Sequence, residues 1–525
     1  MRTLFHTPLA IALSLAFAGP DDAAAMPGTV EAPSPSLHYA LRMSQRAERN
    51  ALRLPAHGAF RSLPHARGNV LPVTSCADDG GPGTLRSVIA GANEGDVVDL
   101  GALDCAAITL TQGIIDLSVL GDHHVNDLSI VGPGAAALTI DGNGDRVFAH
   151  GDFQIGLGTL SISDVTIANG NYTHGLASCI DSSGNIELTR AIVTGCNASG
   201  GGPLTFGGAV SAAYLTMTDS EIAYSNSSAA GDNVAIGGGA YVSGDATLID
   251  STITGNTARA ETAGDGTYYL TAGGGLYVRG ALAMTASTIS NNRLYSNDIF
   301  RGPGGGAFVR AETSIVASTF SWNTAVTGGA LTKAVFSHYG DPGTKLTITN
   351  STFGVNGAMY LAGAIETFRP TTIASSTVFS NGSMYGGALF CRGSDVTLEL
   401  ESTMIALNAY SDVPGYILDI YCEENVTIAG ANNLVTAARH VVLPPDTIDA
   451  DPLIVGFVPA DNGGPTETLA IDPASPAVDM GNNVLGLDFD QRGEGFARVS
   501  GAGPDIGAFE VQVAVPDGIF ANGFD

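Results

Sequence analysis

Short runs in which apolar residues alternate with Ser, Thr or Asp follow one another from Ile108 to about Asn433, among them LSIVG, LTIDG, IELTRAIV and LTMTDSEI. This alternation predicts strands with one face in a core, and windows with helical spacing are scarce. The runs are grouped. GGGAYVSGDATLIDSTITGN (Gly237 to Asn256), GGGLYVRGALAMTASTISNN (Gly273 to Asn292), GGGAFVRAETSIVASTFSWN (Gly304 to Asn323) and GGALFCRGSDVTLELESTMIALN (Gly386 to Asn408) share one order of features. Weaker copies begin at Gly207, Gly328 and Gly363, and the closing Asn returns after about 25 to 36 residues. Helix-pair and ankyrin-type units hold their length nearly fixed, so the uneven period favours stacked β-coils whose loops vary. Within each unit the Gly pair admits positive-φ backbone where the coil turns, and alternate apolar residues stack into the core. The small Ala allows close approach, and the Asn extends a side-chain ladder between coils.

Upstream, GPGTLRSVIAGANEGDVVDL places Leu85, Val88, Ile89 and Ala92 at helical spacing behind Thr84 as N-cap, followed by a strand from Val97 to Leu100. This short helix is expected to cover the open end of the coils. Residues 1–25 hold Arg2, an apolar run from about Pro8 to Ala18 and then small residues, the pattern of an export signal too short to span a bilayer. Residues 26–70 have no sustained period and are expected to be a linker or pro-region.

Composition narrows the partners. With 22 Lys+Arg against 51 Asp+Glu the net charge is −29, and Lys333 and Lys345 are the two lysines. Such a field repels phosphate backbones, so nucleic acid is not expected as a partner, and no apolar run after the leader is long enough for a membrane-spanning helix. The six cysteines suit an exported chain; proximity pairs Cys76 with Cys105, Cys179 with Cys196 and Cys391 with Cys422, joining neighbouring coils or the cap to its first coil.

GTLRSVIAGANEGDVVDL and LSIVGPGAAALTIDGNGDRVF resemble the N-terminal cap and first coils of secreted bacterial right-handed parallel β-helix proteins. The GGA-apolar starts, with Phe or Ile three residues before Asn, resemble the repeats of polymorphic outer-membrane proteins. DPLIVGFVPADNGGPTETLAIDPASPAVDMGNN with DQRGEGFARVSGAGPDIGAFE (Asp451 to Glu510) resembles the choice-of-anchor region that ends many such proteins. The resemblance implies a secreted or surface-exposed protein of a kind whose final segment differs by attachment route. No sorting motif with an apolar tail follows, the residues are too few for an eight-stranded barrel, and IFANGFD resembles the short aromatic-acidic tails of some exported proteins.

The expected architecture is therefore an all-β, right-handed parallel β-helix: a cap over residues 71–107, repeats over 108–445, a loop-rich C-terminal cap over 446–510 and a tail over 511–525. Roughly ten to twelve coils at about 4.8 Å each give a rod of about 50 to 60 Å. Inserts at 258–271 and 294–303 on consecutive repeats are expected to shape a groove, with Arg259, Tyr268, Tyr269, Arg293, Tyr295 and Arg301 as ligand-binding residues and Glu261, Asp265 and Asp298 beside them; its aromatics suit glycans. DGNGDRVFAHGD offers Asp141, Asn143, Asp145 and Asp152 at calcium-loop spacing, although Arg146 stands where such a loop needs Gly. Calcium is the one cofactor the sequence admits. His123 and His124 point opposite ways if extended, and Glu399 and Glu401 alternate with Leu398 and Leu400 as on a solvated strand face. Asp490, Arg492 and Asp505 are expected to pin the terminal loops through an Arg–carboxylate pair. The reading that follows is an adhesin- or passenger-type protein binding glycans or another surface, without catalysis. The pectinase set (Asn-Thr-Asp, Asp-Asp, Gly-His-Gly, Arg-x-Lys) is missing, so a polysaccharide lyase, epimerase or hydrolase with a divergent site between 258 and 303 is the rival. A purely structural envelope role is the third.

Overall fold

The computed structural model describes residues 68–118, 125–151, 158–200, 204–230, 234–260, 271–296, 302–334, 344–384, 386–393, 396–410 and 416–513. The 1–25 leader, nearly all of the 26–70 segment, and His123 and His124 lie outside them, as does the tail beyond residue 513. Among the described residues the coils between Asn171 and Ile417 run through four short strands, and those before and after through three. In the coil of Gly273 to Asn292 these are Leu276–Val278 on face 1, Leu282–Thr285 on face 2 and Thr288–Ser290 on face 3, with Arg293–Ser296 following on face 4. Stacked coil on coil, they build parallel sheets of 12, 13, 12 and 10 strands respectively. The final pair on face 4, Ala409–Tyr410 with Tyr416–Ile417, is antiparallel. The fold is a right-handed parallel β-helix.

Register explains the repeat. Ile253, Ile289, Phe320 and Phe353 are direct partners on successive coils of face 3, all fully buried. The rings of Phe320 and Phe353 stack at 4.8 Å. Burying each such side chain contributes roughly 1.5–3 kcal/mol before ordering costs. Ser-Thr and Asn mark two corners. Before face 3, the Oγ of Ser220, Ser251, Ser287, Ser318, Ser351 and Ser376 each accepts the N–H one coil back. Before face 4, Asn256, Asn292, Asn323, Asn356, Asn381 and Asn408 form an unbroken buried ladder in which, from Asn292 on, each Oδ1 accepts both the N–H and the Nδ2–H of the Asn one coil back, while that of Asn256 accepts the Ser225 N–H. Asp419 ends it, taking the Asn408 amide on Oδ1 and the Thr436 and Ala437 N–H groups on Oδ2. Burial pushes the Asp419 carboxyl up to about 6 against the pull of these donors.

The glycines divide into two roles. Gly237, Gly273 and Gly304 have φ near +70°, as the sequence suggests. The glycine after each is required by stacking: a Cβ on Gly274 would lie 2.3 Å from the Gly305 carbonyl oxygen. Positive φ also falls on residues the sequence does not flag, the corner residues before Ser and Asn, including Ala286, Trp322 and Val355.

At the N-terminal end, a six-residue helix, Leu85–Ala90, starts at Thr84, whose side chain accepts the Ser87 N–H, and buries Leu85 and Ile89 in the main core. The strand Val70–Pro72, unforeseen in the sequence, pairs with Val97–Asp99 on face 2. Three disulfides form with the expected partners. Cys391 and Cys422 are register partners on adjacent coils of face 1. Cys179 and Cys196 instead lie within one coil, flanking the strands from Ile180–Ser182 to Ile192–Thr194, with Cys196 in the column that Asn256 continues.

Residues from about Pro452 to Glu510 do not simply follow the last coil. They fold back along the outside of face 3. Leu469, Ile471, Ala477 and Ile506 pack on Phe379, Met404, Ala406 and Leu434. Buried Gln491 bonds the side chains of Thr319, Thr352 and Thr466. This strap reaches from Leu434 back to Ala317. It also takes up Glu401, which accepts from Asn482 and so is not the solvated group its alternation suggests, whereas Glu399 is exposed.

Candidate ligand-binding face

Strands Thr257–Ala260 and Arg293–Ser296 are neighbours on face 4, with Thr257 opposite Arg293 and Arg259 opposite Tyr295. Alternation sends Ala258 and Leu294 inward, where both are buried, and Arg259, Arg293 and Tyr295 outward. The Arg293 guanidinium lies 4.9 Å and that of Arg259 5.9 Å from the Tyr295 ring centroid. One ring thus serves two cations on adjacent coils, contacts worth about 0.5–1 kcal/mol each at an exposed site. The Tyr295 hydroxyl is shielded and finds no hydrogen-bond partner. Of the six residues expected to bind ligand, these three are brought together; Tyr268, Tyr269 and Arg301 lie outside the described residues, as do Glu261, Asp265 and Asp298.

Around the next corner, face 1 carries a column that sequence reasoning missed. The rings of the register partners Tyr241, Tyr277 and Phe308 follow one another at 5.5 and 5.2 Å, and Phe206, from a separate two-stranded sheet, lies tilted against Tyr241 at 4.7 Å. The three face 1 residues are outward positions, yet Phe308 is fully buried among Ala272, Ala334 and Phe368. The signal was present as the aromatic in GGG-[AL]-[YF]-V. Two coils beyond Phe308, in the same column, Glu366 is buried with Oε2 accepting the hydroxyls of Thr327 and Thr332. Burial raises its carboxyl above the ordinary glutamate value, the two hydroxyls opposing.

The calcium-like loop is a coil corner. Asp141 accepts the Asn143 N–H on Oδ1 and the Asn169 amide on Oδ2, while Asn143 takes φ +52° and Asp145 accepts the Arg146 N–H. Arg146 turns inward to pair with Asp181 at 3.1 Å and stacks on Tyr172. Asp152 lies outside the described residues, and among those described no group of three His, Cys, Asp or Glu is placed to hold a metal ion.

In the strap, Arg492 holds Asp490 through Nε and Nη2, donates to the Glu510 carbonyl, and lies between the rings of Phe496 and Phe509 at 4.0 and 3.8 Å. Arg498, fully buried, donates to the carbonyls of Asp505 and Gly507. The Glu510 side chain accepts the N–H groups of Ser500 and Asp505, and burial pushes it up to about 7. These charges hold the strap's own loops together, which accounts for DQRG and DIGAFE without chemistry.

The fold and the repeat define a right-handed parallel β-helix repeat protein. Comparison with protein-family models, curated proteins and solved structures finds no match to this chain.

Proposed function

We propose that this is an exported or cell-surface protein of the adhesin or passenger type that binds a glycan through the outer surface of face 4 and carries out no chemistry on it. The observation that supports this reading is the Arg259–Tyr295–Arg293 stack: an aromatic face bracketed by planar donors on rigid, register-locked strands, next to inserts of unequal length. Rigid placement lowers the ordering cost of binding. Residues 1–25 serve as the export signal, Leu85–Ala90 closes the first coil, and the segment after Asp451 serves in attachment. Three disulfides fit an oxidising compartment. The test is to pass a panel of neutral and acidic glycans over the full chain, reading retention, reducing ends and ultraviolet absorbance of unsaturated products together. Retention without new ends, weakened in Arg259→Gln/Arg293→Gln, is expected. New ends or unsaturation lost in the same variant would replace binding with a lyase or hydrolase activity.

A further inference from the structure

On face 1, Val278 and Val309 are register partners, so the residues that follow them, Arg279 and Arg310, occupy one column on adjacent coils. The same column later carries Arg392 and Glu423, which follow the partners Cys391 and Cys422 and close an ion pair at 3.0 Å. Neighbouring side chains in this column therefore reach each other. At Arg279 and Arg310 the column sets cation beside cation, an arrangement that costs stability when left alone.

This happens in a chain with more than two acids for every base, 51 against 22. Among the described residues neither guanidinium has a carboxylate within ion-pair distance. The nearby acids are turned to backbone: Asp245 accepts the Ala281 N–H and Glu312 the Lys345 N–H. Arg279 is exposed and Arg310 half-buried, its charge acting on the Tyr277 hydroxyl. Tyr241, half-buried and stacked on Tyr277, feels both charges.

We propose that Arg279 and Arg310, with Tyr241 and Tyr277 beside them, form a subsite for the carboxylate or sulfate groups of an acidic polysaccharide. The ligand supplies the counter-charge that Glu423 supplies to Arg392. Planar guanidinium groups suit bidentate recognition of such oxyanions. An exposed ion contact is weak taken singly, so a ligand repeating its charge along a chain gains from two arginines set about 4.8 Å apart along the coil axis. The overall negative field does not forbid this, because it is screened beyond about 8 Å at physiological ionic strength. The subsite is separate from the Arg259–Tyr295–Arg293 stack and rests on the glycan-binding reading in its ligand class alone.

The experiment measures binding of polygalacturonate, dextran sulfate, neutral dextran and a single-stranded oligonucleotide to the full chain, wild type and variants, at low and physiological salt. Wild type is expected to hold one or both acidic polysaccharides and release them at high salt; which of the two is held tells carboxylate from sulfate. Arg279→Gln/Arg310→Gln should bind about tenfold more weakly with an unchanged unfolding temperature. Arg279→Lys/Arg310→Lys, which retains charge without the fork, should fall between and serves if the Gln variant does not fold. Arg190→Gln, at an exposed ion pair with Asp164 outside both arginine clusters, should leave acidic-polysaccharide binding unchanged. Failure of wild type to hold either polyanion, equal loss in both Gln variants, or equally tight oligonucleotide binding would overturn the inference. Arg259→Gln/Arg293→Gln, read on neutral dextran, tests the face 4 reading separately.

Discussion

Asn323 is the interior member of the Asn ladder on which the fold can be tested most directly. Its Oδ1 accepts the N–H and Nδ2–H of Asn292 at 3.1 and 3.0 Å, and its Nδ2 donates to the Ile289 carbonyl and Asn356 Oδ1 at 2.8 and 3.0 Å. The residue is fully buried. Asn323→Ala removes that oxygen and strands two donors of Asn292 where water does not reach. At about 1–3 kcal/mol for each buried donor left unmade, the loss is about 2–6 kcal/mol, with a cavity cost added. Asn323→Asp keeps the acceptor and removes the donor, so a carboxylate oxygen faces Asn356 Oδ1 and the Ile289 carbonyl. It should cost at least as much at neutral pH and partly recover on acidification. Urea unfolding followed by circular dichroism reads the change, with exposed Ser314→Ala as a control expected within about 0.5 kcal/mol. A loss for Asn323→Ala below about 1 kcal/mol would show that the ladder is geometry without energetic weight, and the account of the closing Asn would fail.

Further consequences concern the strap and the cap. Burial raises Glu510 from 4.5 to about 7 in the folded chain, so it binds its proton more tightly there than when unfolded. The stability this brings is complete below about pH 4.5 and is lost as pH rises through 7. Hydrogen exchange at the Gln491 and Ala508 amides should therefore quicken, after correction for intrinsic rates, between pH 5 and 8; a flat profile sinks the assignment. Cys76 and Cys105 close a separation of 29 residues, so Cys76→Ser/Cys105→Ser should lose about 3–4 kcal/mol, read as a lower urea midpoint. An unchanged midpoint would place the capping energy elsewhere. Coils braced by the strap should exchange more slowly than free ones, Phe320 and Phe353 more slowly than Ile253 and Ile289; equal rates would mean that the strap adds no stability.

The fold was legible because a coil has little freedom. Gly, Ser and Asn recur where backbones touch or corners need a partner, and Ile253, Ile289 and Phe320 recur where the core is one side chain wide. The strap's position could not be read in the same way. Its anchors on the coils, Thr319, Thr352 and Thr377, are ordinary outward strand residues, and nothing local to them says that Gln491 or Ala508 will arrive from more than 100 residues away. Half of the candidate binding residues could be placed because period 2 fixes which way Arg259 and Tyr295 face. Arg279 and Arg310 escaped notice for a related reason: each looks like a routine exposed base in its own repeat, and the anomaly exists between coils, once Val278 and Val309 are aligned.

A solenoid held together by nearest neighbours has nearly uniform mechanics, each coil depending on the two beside it. The strap breaks that uniformity. Its hydrogen bonds to the coils join residues as far as 173 positions apart, and they tie the coils between Ala317 and Leu434 into one unit, while coils before Ala317 depend on their ladders. Both arginine clusters fall just N-terminal of that boundary. A ligand lying across Arg259, Arg279, Arg293 and Arg310 would therefore load coils whose C-terminal neighbours are braced from outside, and whose own connection to them combines parallel strand pairing with the Asn and Ser ladders through Asn323 and Ser318. The buried amides are directional where the hydrophobic column beside them is not, so the ladder, together with the paired strands, fixes the register in which the face is presented.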